Sequence, residues 1–285
     1  MNQRKVLKKK PKGLQGKALR QSDYYGKKMN ADLQKSISIM TKEVKKEIEK
    51  LFSTEKAENY FENSTGMDAT ITNEAKILLE NMRRKFGDIF GIRSGKLALH
   101  IMTGINKASG TKLNSSLKSI SKELAIDPEK VTEPIKEVFE ASVQENVLLI
   151  KTIPEAYFDQ IQGQVMRAIT TGNGLQDLIP FFAKQEGITK RHARNMALDQ
   201  TRKAYNSINK ARMQSAGIEK FKWVHSGGGQ KPRKYHMDAF PTGLNGGIFS
   251  FDDLPVIDKN TGERGIPAQA INCRCVMVPV IDLED

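Results

Sequence analysis

The side chains that could do specific chemistry are concentrated between residues 223 and 279. This stretch holds both cysteines, the only tryptophan and two of the four histidines. Thiolate and imidazole are preferred zinc ligands, so His236, Cys273 and Cys275 are candidate donors for a tetrahedral site, with His225 the only nearby fourth. The Cys-x-Cys spacing is tighter than that of most structural zinc sites. A reduced strand that packs its sulfurs under a loop is therefore the alternative interpretation.

A second candidate site is a cluster of cations beside a run of glycines. Lys231, Arg233 and Lys234 follow Gly227-Gly228-Gly229 closely. Glycines allow backbone amides to approach an anion, so this segment could hold a phosphate. A solvated hairpin tip explains the same residues equally well, and the sequence leaves both interpretations open.

Catalysis finds little support in the sequence, which predicts that the protein is not an enzyme. It contains no serine elbow, no P-loop and no His-Glu-x-x-His motif. A metal-dependent nuclease of the His-Asn-His type could be assembled from His225, His236 and either Asn245 or Asn272. The acid expected beside His236 is missing, and Asp238 is its sole substitute.

The two cysteines also bear on the cellular setting. One residue separates them, so a ring closed by a disulfide between them would be strained, and a reduced intracellular environment is the simpler interpretation. No apolar run approaches the roughly 20 residues that a membrane helix needs. The lysine-rich start of the chain lacks the apolar core of a secretory signal. We therefore expect a protein that is soluble and cytoplasmic at synthesis, with no membrane partner.

Charge indicates the kind of partner. The chain carries 46 Lys+Arg against 33 Asp+Glu, a formal net charge of +13. Residues 1–28 hold ten of the cations and one acid, and residues 190–234 hold twelve cations and two acids. A field of this sign favours polyanions such as double-stranded DNA. The candidate nucleic-acid contacts in the two blocks are Lys8, Lys9, Lys10, Arg191, Arg194, Arg202, Lys231, Arg233 and Lys234.

The elements that must position these residues are mainly helical. Apolar residues recur every three or four positions from Ala31 to Val147, which predicts five amphipathic helices with breaks near Gly66, Gly87 and Gly91, and Pro128. Three more helices are predicted over 155–171, 175–185 and 189–215. The buried stripe expected on the last of these is Ala193, Ala197, Thr201, Ala204, Ile208 and Ala211.

Short strands follow the helices. They are predicted at 221–224, 249–251 and 273–281, and Pro279 should place the last strand at a sheet edge. The predicted fold class is α+β, mainly helical, with a helical region followed by a helix-plus-small-β domain. The predicted domains are a flexible basic arm (1–28), a helical region (29–152) that could dock on a portal or scaffold protein, and a C-terminal domain (153–285).

The C-terminal half resembles a known family. The motif elements, in chain order, are Asp199-Gln200-Thr201-Arg202-Lys203 with Asn206, Asn209 and Arg212; Gly217-Ile218 and Lys222-Trp223; Arg233 and His236; Asn245-Gly246 with Ile248-Phe249; Phe251-Asp252-Asp253-Leu254-Pro255; and Asn272-Cys273-Arg274-Cys275 with Pro279. This ordered set resembles the phage Mu F-protein-like head morphogenesis family, also called the minor head protein family, over about residues 155–282. The chain departs from the family pattern in lacking an acid before Lys231 and in about five extra residues after His236.

The resemblance implies a phage minor head protein that acts in head morphogenesis at the portal vertex. Its partners would be the portal protein, other capsid or scaffold proteins, and double-stranded DNA bound non-specifically during packaging or ejection. It would reside in the virion, in the head interior or at the portal vertex, and in the host cytoplasm during assembly. No cofactor is required by this role, although zinc is possible. The alternatives are the metal-dependent nuclease and a cellular non-specific nucleic-acid-binding protein.

Overall fold

A computed structural model describes residues 13–54, 57, 61, 69–227 and 231–282 of the 285-residue chain. The fold is mainly helical α+β, as predicted. The elements in chain order are β1 (Leu14–Gln15), α1 (Tyr24–Phe52), α2 (Ala69–Lys118), a 3₁₀ turn (Lys122–Leu124), α3 (Glu133–Thr171), α4 (Leu175–Ser215), β2 (Lys220–Val224), α5 (Lys234–Met237), β3 (Ile248–Ser250) and β4 (Val276–Ile281).

The chain divides into two compact units. The sheet unit comprises Met1–Ser22, Ile105–Val138 and Arg202–Asp285, and the helical unit comprises Asp23–Gly104 and Phe139–Thr201. Helices α2, α3 and α4 each contribute residues to both units. This division differs from the predicted domains, because it groups residues by contact rather than by position in the sequence.

The long helices correct several predicted breaks. Helix α2 is continuous through Gly87 and Gly91, where the sequence predicts separate helices. Glycine in a helix interior costs only about 1 kcal/mol relative to alanine, so a well-packed helix continues through it. Helix α3 likewise runs through Ile153-Pro154, where the sequence predicts a domain boundary.

Burial explains why α3 tolerates its proline. A proline inside a helix costs about 3 kcal/mol, through a lost hydrogen bond and a steric clash. On the same helix Ile153, Tyr157 and Phe158 are buried, and the Phe158 ring stacks on Phe86 of α2 at 6.3 Å. Burial of each such side chain contributes about 1.5–3 kcal/mol, so the packing of this face offsets the proline.

The sheet unit is built on four antiparallel strands in the order β1-β4-β2-β3. Phe221 and Trp223 of β2 are fully buried, and Trp223 pairs with Met277 of β4. The three strands predicted from the sequence are all present, with β3 shifted by one residue and β4 beginning three residues later than predicted. Strand β4 is central and not at the edge, because β1 covers its outer side.

The position of β1 explains how a proline fits into a central strand. The Pro279 carbonyl accepts a hydrogen bond from the Gly16 amide at 3.1 Å, on the side of β1. In an antiparallel strand the N–H and C=O of one residue point to the same side. The N–H that a proline lacks would therefore have pointed towards β1, which is only two residues long. The five paired positions between β4 and β2 are therefore preserved.

Strand β1 shows that the predicted flexible arm, residues 1–28, is in part folded. Residues 1–12 lie outside the described residues, but residues 13–28 are part of the fold and not a free arm. Leu14 pairs with Ile281, Leu19 is buried, and α1 begins at Tyr24.

Candidate functional site

The two cysteines and two histidines meet in the sheet unit. The Nδ1 atom of His236 lies 3.5 Å from Cys273 Sγ and 4.0 Å from Cys275 Sγ. The Nδ1 atom of His225 lies 3.7 Å from Cys275 Sγ. His236 and both cysteines are buried, and His225 is half-buried. Within the described ranges, His236, Cys273 and Cys275 are the one group of three or more such side chains close enough to share a metal ion.

Three separate segments carry these side chains. His225 follows the last residue of β2, and its backbone N–H donates to Asn245 Oδ1 at 3.0 Å. His236 lies on the short helix α5. The cysteines lie in the loop that leads into β4, and the Cys275 amide donates to Cys273 Sγ at 3.5 Å.

Arg233 and Asn272 position the cysteine loop. The Arg233 guanidinium donates to the Ile271 carbonyl at 2.9 Å, which ties the start of α5 to this loop. Asn272 has a φ of 58°, in the left-handed region that asparagine tolerates better than most residues. The backbone therefore turns at Asn272 immediately before Cys273, which accounts for these motif residues in structural terms.

The ring of His236 is held in a defined orientation. Its Nε2 lies 2.9 Å from the Ile257 carbonyl, which can only accept a hydrogen bond. Nε2 is therefore the protonated nitrogen of the neutral ring, and the Nδ1 lone pair faces the two sulfurs. Trp223 packs edge-on against this ring, with centroids 5.2 Å apart.

The cluster shifts the pKa values of its members. Burial acts to lower the pKa of His236, but the hydrogen bonds to Cys273 and Ile257 outweigh it, so the pKa is raised. A hydrogen bond from Cys275 lowers the pKa of Cys273 to about 4, against the opposing effect of burial. The same hydrogen bond, together with burial, raises the pKa of Cys275. Cys273 is therefore the thiol that ionises first.

A buried donor lies beside the sulfurs. The indole nitrogen of Trp223 has no hydrogen-bond partner within normal limits in the described part of the chain. It nevertheless favours the thiolate form of Cys275. We interpret this effect of the indole N–H as an electrostatic contact that is longer than a hydrogen bond. Burial of the Trp223 ring fixes the position of the N–H.

The polar residues of α4 form a second buried cluster in the sheet unit. Asn209 Oδ1 accepts from the Ser109 hydroxyl at 2.9 Å. The Arg212 guanidinium donates to the Lys130 carbonyl at 2.9 Å, to Asn106 Oδ1 at 2.7 Å and to the Asn106 carbonyl at 3.3 Å. These bonds hold α4 against α2 and the loop after it. The stripe predicted for α4 includes neither Asn209 nor Arg212, and their place in the ordered family motif was the available signal.

Part of the chain that carries these clusters matches a known protein family. Residues 159–278 match the family model described as Phage Mu protein F like protein. The resemblance predicted for about residues 155–282 is confirmed over this Mu F-like region. It contains the Cys–His cluster with Trp223 and Arg233, and it contains Asn209 and Arg212 but not their partners on α2 and the loop after it. Over these residues the chain is similar to a phage head-related family.

Two curated relatives match the chain over only part of their own length. An uncharacterized protein of Haemophilus influenzae (strain ATCC 51907 / DSM 11121 / KW20 / Rd) is 30% identical over 148 residues, or 52% of this chain and 30% of the relative. The uncharacterized protein YqbB of Bacillus subtilis (strain 168) is 26% identical over 131 residues, or 43% of this chain and 41% of the relative. The chain thus spans well under half of either relative. No solved structure matches the chain significantly.

The candidate DNA contacts differ in exposure. Lys8, Lys9 and Lys10 lie outside the described residues. Arg191 and Arg194 are exposed on the helical unit, and Lys231, Arg233 and Lys234 are exposed on the sheet unit. Arg202 is buried, with 7% of its surface exposed. Its prediction as an exposed contact is therefore wrong, because α4 buries this face together with the predicted stripe.

The buried stripe of α4 is confirmed. Its predicted members are all buried: Ala193, Ala197, Thr201, Ala204, Ile208 and Ala211.

The nuclease arrangement gains no support from these contacts. The imidazoles of His225 and His236 contact thiols, and the Asn245 side chain is engaged by the His225 backbone. The phosphate hypothesis rests partly on Gly228 and Gly229, which lie outside the described residues. Across the helices that the structure describes, none has an apolar stretch long enough to cross a bilayer.

Proposed function

We propose that this chain is a phage minor head protein that acts in head morphogenesis at the portal vertex. The observation that carries the proposal is the family match over residues 159–278. The geometry supports it, because the motif residues form buried bracing contacts and a cysteine–histidine cluster rather than an open cleft with a nucleophile and base. The role is structural, with no catalytic step.

We further propose that the protein contacts DNA non-specifically during packaging or ejection. The net charge of +13 favours contact with phosphates. Exposed cations on both units support this, with Arg191 and Arg194 on one and Lys231 and Lys234 on the other. Such contacts need no base-reading element, because phosphate contacts carry no sequence information.

Association with the portal tests the assembly role. The chain should co-purify with the portal protein of the same phage, and purified particles should contain it in a few copies. Mass spectrometry of particles and a pull-down of coexpressed portal protein measure these outcomes. Absence from assembled particles would refute the role and would favour a cellular nucleic-acid-binding protein.

A mobility-shift series tests the DNA contact. The wild type should retard duplexes of unrelated sequence equally, with affinity that falls steeply as salt rises. Replacement of Arg191 and Arg194 by glutamine should reduce the slope of log affinity against log salt by about 2 if each contacts one phosphate. A matched control replaces two exposed cations outside the basic blocks, Lys96 and Lys112, by glutamine. Equal effects of both pairs would show that no particular surface is used.

The nuclease alternative is tested on the same preparations. Supercoiled plasmid incubated with Mg²⁺ or Zn²⁺ should remain uncut. Cleavage by the wild type that is lost in His236→Ala would refute the structural role and indicate a catalytic one.

A further inference from the structure

We propose that the cysteine–histidine cluster of the sheet unit is a structural zinc site, a property that goes beyond the proposed function. Its ligands would be Nδ1 of His236 and the sulfurs of Cys273 and Cys275. The fourth ligand would be Nδ1 of His225. The proposal rests on the spacing of these atoms, on the hydrogen bond that orients His236, on the charge of the set and on the architecture around it.

The spacing of the donors fits a tetrahedral ion. Zn–S bonds of about 2.3 Å and Zn–N bonds of about 2.0–2.1 Å place sulfur and nitrogen about 3.6 Å apart in a tetrahedral site. The observed distances from His236 Nδ1 are 3.5 Å to Cys273 Sγ and 4.0 Å to Cys275 Sγ. His225 Nδ1 lies 3.7 Å from Cys275 Sγ. Two of these values lie within 0.1 Å of this edge length and the third is 0.4 Å longer. His225 lies outside the group of donors within 4.8 Å of one another, so its side chain has to move towards the ion to complete the set.

The orientation of His236 is the one that a metal ligand requires. Metal-binding histidines almost always donate their second ring N–H to a carboxylate or carbonyl oxygen. Here Nε2 lies 2.9 Å from the Ile257 carbonyl, so Nδ1 presents its lone pair to the sulfurs.

The charge of the set also suits a buried dication. Two thiolates and two neutral imidazoles carry a total charge of −2, which Zn²⁺ neutralises. Neutrality matters because His236, Cys273 and Cys275 are all buried, and an uncompensated buried charge is costly.

The surrounding architecture explains what the ion would do. Between β3, which ends at Ser250, and β4, which begins at Val276, the chain forms loops with a single isolated bridge, Val256 to Arg264. The proposed ligands join the end of this loop-rich region, just before β4, to the end of β2 and to helix α5. Such small regions have little core of their own, and a structural metal stabilises them by linking distant segments.

Metal analysis of the full-length chain is the first test. Protein expressed in zinc-supplemented medium and freed of loosely bound metal should contain one zinc per chain by mass spectrometry. His236→Ala and Cys273→Ser should lose the metal. His192→Ala is the matched control, because His192 is an exposed histidine on α4, and it should retain one zinc. Folded wild type without zinc, or unchanged zinc in Cys273→Ser, would overturn the proposal.

The assignment of the fourth ligand has its own measurement. Changes to outer-shell partners alone cost about 10–100-fold in metal affinity, so loss of a ligand should cost at least that much. His225→Ala should therefore bind zinc at least about 10-fold more weakly than His192→Ala in a competition with a chromophoric chelator. Equal affinity would remove His225 from the site.

A titration of the wild type covers the case in which the variants do not fold. Chelator-treated protein should lose thermal stability and recover it with one equivalent of Zn²⁺. Titration with Co²⁺ should produce the absorption bands of a tetrahedral, thiolate-ligated ion, saturating at one equivalent. A chelator-treated protein with unchanged Tm and no cobalt bands would show that the cysteines serve only as packing.

Discussion

Arg212 offers the sharpest test of the claim that the family motif is a structural brace. The residue is only 3% exposed, and its guanidinium donates to three neutral acceptors on Lys130 and Asn106. Burial lowers its pKa, while Asp127 acts in the opposite direction. Arg212→Met keeps an apolar stem of similar length and removes all three hydrogen bonds.

The expected loss follows from these contacts. A hydrogen bond contributes about 1 kcal/mol net, so three contribute about 3 kcal/mol. Hydrogen bonds from a charged group contribute more than this average, and removal of a buried cation offsets part of the total. We expect the free energy of unfolding to fall by roughly 2–4 kcal/mol. Arg212→Lys should also destabilise the sheet unit, because an ammonium group cannot reproduce the planar fork.

The assay uses the only tryptophan as a local reporter. Trp223 is fully buried in the sheet unit, so its fluorescence during urea denaturation follows unfolding of that unit. The control is Arg194→Met, an exposed arginine on the same helix, which should change stability by less than about 0.5 kcal/mol. If Arg212→Met matches this control, the hydrogen bonds of Arg212 do not stabilise the fold and the brace interpretation is refuted.

Two further predictions concern α2 and the basic N-terminal segment. Gly110→Ala should lower the Tm, because a Cβ at this position would collide with the Pro128 carbonyl and overpacking costs about 1–3 kcal/mol. The control is Gly95→Ala on the same helix, where the Cβ meets open space, and this change should raise the Tm. Deletion of residues 1–12 removes six Lys/Arg residues and should weaken DNA retention without changing the circular dichroism spectrum, whereas deletion of residues 1–28 also removes β1 and should lower the Tm. Equal melting temperatures for the two deletions would show that β1 is dispensable.

Local patterns predicted the type of each element better than its limits. The apolar spacing indicated helices correctly, but Gly87, Gly91 and Pro154 were interpreted as breaks. The cost of a glycine or proline is fixed at about 1–3 kcal/mol, while the packing that offsets it depends on partners far away in sequence. Pro279 was assigned to an edge for the same reason, since nothing in its neighbourhood indicates that β1 will cover β4.

The candidate site was likewise predicted only in part: its rare residues were found, and the partners of its helix residues were not. His236, Cys273 and Cys275 were predicted together because rare residue types with ligand chemistry stand out in a sequence. The roles of Asn209 and Arg212 were missed, because a polar side chain on a helix reveals its partner only when the facing helix is known. Their partners, Ser109 and Asn106, lie about 100 residues earlier in the chain.

The pairing of Leu14 with Ile281 has a consequence for biosynthesis. Strand β4 is synthesised after β1, β2 and β3, so a nascent polypeptide holds β1 and β2 before the strand that joins them exists. Contacts this distant in sequence also close slowly. Chains cut short by premature termination before Val276 would therefore leave β2 without its partner strand and exposed to proteases.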